Sequence, residues 1–172
     1  MLRDEETPDA LLAAVRDLVV EAFEGRFSDT DWEHAAGGWR VVLSEGDRPV
    51  SHAAVVPRPL RIGTRELRAG YVEAVATRRS AQRQGHGSTV LRQVASLVRS
   101  DFEVGALSTG RRDFYQRFGW EPWRGPSYVQ RAETLIRTAD EDDGLMVLRC
   151  GPSAGVDLTD AIACWSRSGD DW

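Results

Sequence analysis

The sequence predicts a mixed α/β fold in a single domain of residues 1–172, and two patterns lead to that prediction. Strand-like runs joined by short polar turns form two hairpins, at residues 39–44 and 50–57 and at residues 59–62 and 65–76. A helical pattern over residues 87–99 then leads into an apolar strand at 102–108, and such a crossover requires a parallel pair of strands. We therefore expect a mixed, mostly antiparallel sheet with one central parallel pair and flanking helices.

The remaining elements follow from apolar periodicity and from residues that begin or end helices. Thr7 and Pro8 suit the start of a helix whose apolar residues recur at helical spacing until Gly25. The pattern also predicts short helices at 29–37 and 110–118 and the last two strands at 127–131 and 145–149.

Composition and charge exclude several functions. The formal net charge is −5, which argues against nucleic acid as a partner because nucleic-acid binding needs clustered basic surface. No apolar run approaches the ~20 residues of a membrane span, and the N-terminus lacks a signal-peptide pattern. Cys150, Cys164 and the scattered histidines have no metal-binding spacing. We expect a cytoplasmic protein with free thiols, no metal and no membrane contact.

A glycine-rich segment between a strand and a helix is the most informative part of the chain. It reads Gln82-Arg83-Gln84-Gly85-His86-Gly87-Ser88. Backbone N–H groups at a helix N-terminus, freed of side chains by glycines and flanked by arginines, form an anion site. The chain contains no lysine, so the segment is not a P-loop, and its glycine spacing does not match a dinucleotide fingerprint.

In this order of strand, loop and helix, the segment resembles the pyrophosphate loop of the GCN5-related N-acetyltransferases. The resemblance implies that acetyl-CoA is the co-substrate and that the loop from Gln82 to Ser88 holds its diphosphate. It also implies that Val75, Ala76 and Thr77 contribute to the same site, that the central parallel strands splay apart, and that the protein is a homodimer.

Glu73 is the strongest single candidate for a catalytic residue. A carboxylate within so apolar a strand is costly unless it is paired or functional. It could form a structural ion pair with an arginine, or act as a general base, directly or through water, on a substrate ammonium. The Val75 N–H, two residues later, could polarise a thioester carbonyl. Strand alternation places residues on two faces: Glu73, Val75 and Thr77 on one, and Val72, Ala74 and Ala76 on the other.

Tyr115 is the second catalytic candidate. It lies in a short predicted helix that ends at Gly119, after the strand at 102–108. Taken alone, Tyr115 could equally be an amphipathic core residue. In the GCN5-related N-acetyltransferases, which the chain resembles, a tyrosine at this point donates a proton to the departing thiolate.

Further segments, in order along nearly the whole chain, look like the aminoglycoside 2'-N-acetyltransferase branch of that family. The matching pieces are Phe27 with Thr30-Asp31-Trp32-Glu33-His34, Gly70-Tyr71-Val72-Glu73-x-Val75-Ala76, Gly105-Ala106-Leu107-Ser108, Trp123-Arg124-Gly125-Pro126, Arg137-Thr138 with Asp142-Asp143-Gly144, and Gly169-Asp170-x-Trp172. The resemblance implies a polycationic aminoglycoside substrate acetylated at its 2'-amine, with Glu73 as base and Tyr115 as acid. It implies that the substrate is bound by Asp31, Glu73, Ser108, Asp143, Asp170 and the Trp172 carboxylate.

Two details qualify this expectation. Arg26 stands where some relatives carry an acid beside Phe27, and a cation facing the site would weaken binding of a charged ring. The terminal Trp172 is bulky and aromatic, which indicates that this end of the chain is docked rather than frayed. Two other functions remain open from sequence: acetylation of another small amine or cell-wall amino sugar, and a non-catalytic module that binds acetyl-CoA or the drug.

Overall fold

The computed structural model describes residues 1–172 and has the mixed α/β architecture that the sequence predicts. The helices are α1 (Asp9–Ala22), α2 (Asp29–His34), α3 (His86–Asp101) and α4 (Arg112–Gln116). The strands are β1 (Leu2–Arg3), β2 (Trp39–Glu45), β3 (Arg48–Ile62), β4 (Arg65–Thr77), β5 (Val104–Ser108), β6 (Glu121–Pro122), β7 (Ser127–Arg131), β8 (Thr134–Arg137), β9 (Leu145–Arg149) and β10 (Ile162–Trp165).

Contacts divide the chain into two compact units. The first unit comprises residues 1–56 and 72–94, and the second comprises residues 57–71 and 95–172. The long strands β3 and β4 each contribute residues to both units, and so does α3.

In the first unit, α1 covers a patch of small residues on the sheet. The buried α1 residues Val15, Leu18 and Val19 pack against Ala54 of β3 and against Ala74 and Ala76 of β4. Small side chains on the strands let the helix approach closely, and the helical spacing of its apolar residues supplies the matching face. The helix begins one residue later than predicted, because Pro8 and not Thr7 is its N-cap.

In the second unit, the strand order is β6-β9-β5-β4-β3-β10-β7-β8. Most of its neighbours are antiparallel, and β4 and β5 form the predicted parallel pair. Gly105 of β5 leaves room for the core, because a Cβ there would lie 2.8 Å from the Trp120 ring and 3.0 Å from Val98 and Leu148. The expected class of sheet is therefore confirmed.

The structure corrects the predicted break between strands at residues 50–57 and 59–62. Residues 48–62 form one continuous strand, β3, despite Pro57 and Pro59. Proline cannot donate to a strand ladder, but β3 pairs with β2 only as far as Val55 and with β10 only from Leu60. The prolines lie where this edge of the strand changes partner, so no ladder bond from them to β2 or β10 is needed.

Residues 127–131 and 145–149 are strands, as predicted, but they are not the last two strands of the chain. They are β7 and β9, with the predicted bounds. The later strand β10 lies between β3 and β7 and runs parallel to β7. The short strands β1, β6 and β8 were also not predicted from the sequence.

Candidate active site

The glycine-rich segment of the first unit forms an open cradle of backbone amides. The side chains of residues 82–85 are exposed, and α3 begins at His86. None of the N–H groups of residues 83–88 donates within the chain; the first that does is that of Thr89, 3.0 Å from the Gly85 oxygen. Arg83 and Gly85 adopt left-handed conformations, with φ of +63° and +90°, and such alternation turns successive amides toward one point. The arrangement fits a diphosphate.

Arg78 and Arg79, which precede this segment, attach it to neighbouring elements and do not contribute to the cradle. Arg78 is buried, donates its Nε to the Pro49 oxygen at 2.8 Å and pairs with Glu21 of α1. Arg79 pairs with Glu24 at the end of the same helix. Arg83 lies within the cradle itself and is exposed, as Arg79 is.

Side chains within the segment mostly brace the turn. Gln82 donates to the Thr77 oxygen at 3.2 Å, and Gln84 donates to the Ser80 oxygen at 3.1 Å. The His86 Nε2 lies 3.2 Å from a Glu45 carboxylate oxygen, so its ring is directed to β2. These side-chain contacts leave the backbone amides available for a ligand.

The end of β4 that contains Glu73 is bent by a left-handed residue. Ala74 has φ of +50°, which costs a non-glycine residue about 1–2 kcal/mol. Glu73, Val75 and Thr77 are half-buried, whereas Ala74 and Ala76 are in the core. The register of β4 against β5 ends at Tyr71, six residues before β4 itself ends at Thr77.

Asp31, predicted to bind substrate, has a structural contact in the first unit. Its Oδ2 accepts hydrogen bonds of 2.8 Å from both the N–H and the hydroxyl of Ser28, which closes a capping box at the start of α2. Arg26 is exposed and lies near Glu24 and the Phe23 oxygen.

Tyr115 of the second unit is a buried phenol. It lies in α4 with 7% exposure, and its ring meets those of Phe114 and Trp120 edge-on. Burial raises its pKa to about 12, with the Thr109 hydroxyl and the Arg111 charge opposing the rise. The side chain is therefore protonated, and able to donate a proton, throughout the physiological range.

Ser108, at the end of β5, lies beside an acidic loop. Its hydroxyl donates to the Glu141 carboxylate at 3.4 Å, and the Thr109 N–H donates to the Gly144 oxygen at 2.8 Å. A Cβ at Gly144 would lie 2.6 Å from the Ser108 hydroxyl, so a larger residue there would force that hydroxyl to rotate away. Burial raises the pKa of Glu141, and the charge of Asp170 raises it further. The structure thus brings Ser108, Glu141 and Asp170 together.

The prediction that the C-terminal end is docked is confirmed. Trp172 is 5% exposed, and its indole N–H donates to the Thr138 hydroxyl at 3.1 Å. Arg58 donates to the Asp171 oxygen at 2.9 Å, and the Cys164 thiol contacts the same oxygen at 3.2 Å. The Trp172 N–H donates to Asp170 at 3.3 Å, so the last residues form a fixed turn.

The other acidic residues of the 140–143 loop differ in role. Asp142 accepts from Ser127 and pairs with Arg137, which lowers its pKa, so this carboxylate is structural. Asp143 is fully exposed and lies 3.1 Å from Arg112. Glu141 is the carboxylate of this loop that faces Ser108, whereas the sequence predicts that Asp143 binds the substrate.

The family described as acetyltransferase (GNAT) domain matches residues 6–123. The chain is similar to an aminoglycoside 2'-N-acetyltransferase of Mycolicibacterium fortuitum, with 42% identity over 98% of this chain and 87% of the relative.

Solved structures support the same fold. A GNAT family acetyltransferase from Brucella melitensis, in complex with acetyl-CoA, has a TM-score of 0.63 and 18% identity over 94% of this chain and 93% of that chain. A GNAT family N-acetyltransferase (YhbS) from Escherichia coli, in complex with CoA, has a TM-score of 0.66 and 14% identity over 92% of this chain and 86% of that chain. Other acetyltransferases that match are longer, and this chain spans 31% to 33% of their length.

No helix of this chain is both long enough and apolar enough to cross a membrane. No group of three or more histidine, cysteine, aspartate or glutamate side chains is arranged to hold a metal ion.

Proposed function

This chain belongs to the GNAT family of acetyltransferases, and we propose that it transfers the acetyl group of acetyl-CoA directly to the 2'-amine of an aminoglycoside. The observation that carries the proposal is the 42% identity, over nearly the whole chain, to a relative named for that reaction. The amide cradle and the acidic groups of the second unit supply the physical support.

The cradle of residues 83–88 suits the diphosphate of acetyl-CoA. Six amides without a partner in the chain, at the N-terminus of a helix of 16 residues, stabilise negative charge through hydrogen bonds and the helix dipole. Acetyl-CoA would supply the activated acetyl group as a thioester. Val75, Ala76 and Thr77 of β4 would bind the same molecule through their backbone.

Glu73 and Val75 would perform the first half of the transfer. The amine must lose a proton before its lone pair can attack, and Glu73 would accept that proton, directly or through water. The Val75 N–H would donate to the oxygen that gains negative charge during attack. Ala74, which separates them, is the left-handed residue of β4.

Tyr115 would complete the transfer by protonating the departing thiolate. A phenol with a pKa of about 12 holds its proton at neutral pH and so is always ready to donate it. Its burial, which causes the high pKa, also keeps bulk water from competing for that proton.

Acidic groups would bind the ammonium groups of the aminoglycoside. Burial and the charge of Asp170 raise the pKa of Glu141, and an incoming polycation relieves the repulsion between the two carboxylates. The Trp172 α-carboxylate of the fixed tail would bind the aminoglycoside as well. Ser108, Asp31 and Asp143 would also contact it, as the sequence resemblance implies. Each charge-assisted hydrogen bond contributes roughly 1.5–3 kcal/mol, so a few suffice for tight binding.

The decisive experiment is a thiol-release assay with acetyl-CoA and four acceptors: gentamicin, tobramycin, kanamycin A and a plain amino sugar. Kanamycin A carries a hydroxyl in place of the 2'-amine and is the regiochemical control. Turnover with the first two but not with kanamycin A is expected. Turnover with only the amino sugar would show that the acceptor is an amino sugar and not an aminoglycoside. No turnover with any of the four would favour a non-catalytic binding module.

We further propose that the protein acts in the cytoplasm as a homodimer, and that drug resistance follows from the reaction. Sedimentation of the purified chain measures its assembly. Expression in a susceptible host, with Glu73→Gln as the control, measures whether tolerance of tobramycin depends on turnover.

A further inference from the structure

The left-handed residue of β4 is bound by a buried side chain of the neighbouring strand. His52 of β3 has no exposed surface, and its Nδ1 lies 2.9 Å from the carbonyl oxygen of Ala74. A carbonyl oxygen can only accept, so Nδ1 carries the hydrogen and donates it. The carbonyl of the residue between Glu73 and Val75 is therefore fixed by a directed hydrogen bond.

The second ring nitrogen of His52 fixes which tautomer is present. Its Nε2 lies 3.5 Å from Arg40 Nη1, and a guanidinium can only donate. Nε2 must then be the acceptor, which leaves the hydrogen on Nδ1, as the contact with Ala74 requires. Burial and the Arg40 charge lower the pKa of His52 to about 4, so the ring is neutral at physiological pH.

Arg40 is itself held from three directions. It is 1% exposed, pairs with Asp4 through its Nε, and lies 4.4 Å over the Trp32 ring. The other oxygen of Asp4 accepts from the Gly37 N–H at 2.9 Å. The chain of contacts runs from the partly exposed Asp4 through the buried Arg40 and His52 to the carbonyl of Ala74.

Filling the core does not explain this chain of contacts. An apolar side chain would fill the space of His52 without requiring a guanidinium and a carboxylate to lose water. Burying the Arg40 guanidinium costs free energy, which its contacts with Asp4, Trp32 and His52 must offset. The bond at the end of the chain acts on Ala74, whose conformation decides how its two neighbours point.

We propose that His52 is a positioning residue for acyl transfer: by holding Ala74 in its left-handed conformation, it directs the Glu73 carboxylate and the Val75 N–H. The inference rests on the proposed roles of Glu73 and Val75. His52 touches neither substrate and acts through the backbone of β4, with Arg40 and Asp4 keeping its ring in the required tautomer.

The test compares variants of His52 that differ in where they can donate. Asparagine places an N–H near the position of Nδ1, glutamine reaches instead toward that of Nε2, and leucine donates nothing. We expect His52→Leu and His52→Gln to lower kcat about 10- to 100-fold, the loss typical of a small misplacement of reacting groups. His52→Asn should recover most of that loss, and calorimetric affinity for CoA, which lacks the acetyl group that the Val75 N–H would polarise, should change far less than kcat in all three.

Ile62→Ala is the matched control, because Ile62 is buried in the same strand ten residues away and pairs with Ile162. It should lower Tm and leave kcat unchanged. If His52→Leu lowers Tm without lowering kcat, as the control does, His52 only fills the core and the proposal is overturned. Should His52→Leu not fold, equal kcat for the asparagine and glutamine variants would overturn it.

A second readout does not depend on finding the acceptor. The backbone amide resonances of Glu73 and Val75, followed by NMR in labelled protein, should move in His52→Gln, stay near wild type in His52→Asn and be unaffected by Ile62→Ala. Unmoved resonances in His52→Gln would overturn the proposal. Absence of aminoglycoside turnover in the wild type would instead refute the proposed function and leave this measurement valid.

Discussion

The amide cradle at residues 83–88 and the tail at residues 166–172 are proposed to bind the two substrates, and they are built by opposite means. The cradle presents backbone N–H groups with no partner in the chain, and the side chains of 82–85 are exposed. The tail is held by particular side chains, Trp172 on Thr138 and Arg58 on Asp171.

This difference decides what each segment tolerates. A backbone cradle requires certain φ angles, and most side chains around it are interchangeable as long as those angles persist. A tail held by side chains requires the identity of each residue that binds it. Changes in the two segments should therefore appear in different kinetic constants, the cradle in the acetyl-CoA KM and the tail in the acceptor KM.

The largest effect is expected at a residue outside both segments. Glu73→Gln should lower kcat by roughly 10²- to 10⁴-fold, because it removes the proposed base and keeps the size of the side chain. Both KM values should stay near wild type in steady-state assays, and CoA affinity by calorimetry is the control for folding. A wild-type kcat would remove Glu73 from the mechanism.

The next largest effect tests the tail. Deleting residues 170–172 should raise the tobramycin KM by about 10- to 100-fold, the value of one or two lost charge-assisted hydrogen bonds, and leave the acetyl-CoA KM unchanged. Asp170→Asn keeps the tail in place and should give a smaller rise. If both KM values rise together in the deletion, the proposed separation of the two segments is wrong.

A smaller effect is expected in the cradle. Gly85 has φ of +90° and open space around it, so Gly85→Ala adds no clash but strains the backbone by about 1–2 kcal/mol. The acetyl-CoA KM should rise about 5- to 30-fold with the acceptor KM unchanged. Gly25→Ala is the matched control, since Gly25 has φ of +76° and equal space at the end of α1. Equal effects of both variants on KM would refute a role for the Gly85 conformation.

The smallest effect concerns stability at the acidic cluster. The pKa of Glu141 is raised above its ordinary value, so its charged form costs folding free energy at neutral pH, and that cost disappears as pH falls through the raised pKa. Glu141→Gln should raise the free energy of unfolding at pH 7 by less than about 1 kcal/mol, with the gain fading toward pH 4.5. Urea denaturation of the wild type and of Glu141→Gln at both pH values measures this difference in the free energy of unfolding. A wild type that is more stable than Glu141→Gln at pH 7 would contradict the prediction.

Much of the fold was predictable because its signals are local. The bounds of β7 and β9 follow from short alternating or apolar runs. β10 is only four residues long and is a strand because β3 and β7 lie on either side of it, which no local pattern reveals. The break predicted between residues 57 and 59 was wrong, because the change of partner strand that accommodates Pro57 and Pro59 is a property of the whole sheet.

The same division holds for the site. The cradle was predictable from spacing, because glycines and a helix start are written in order along the chain. The choice of Glu141 over its acidic neighbours depends on which side chain folds back toward Ser108, and that is fixed by the whole loop. The left-handed Ala74 was unpredictable, since alanine rarely adopts that conformation and here does so against a buried histidine.

Because Cys164 lies against the tail, the reactivity of its thiol reports on movement of the tail. The thiol is fully buried against the Asp171 carbonyl, and burial raises its pKa to about 11. Thiolate is the reactive form, so an alkylating reagent must wait until the tail lifts away. The rate at which Cys164 is alkylated therefore measures how often the tail opens. Bound acceptor should slow that alkylation.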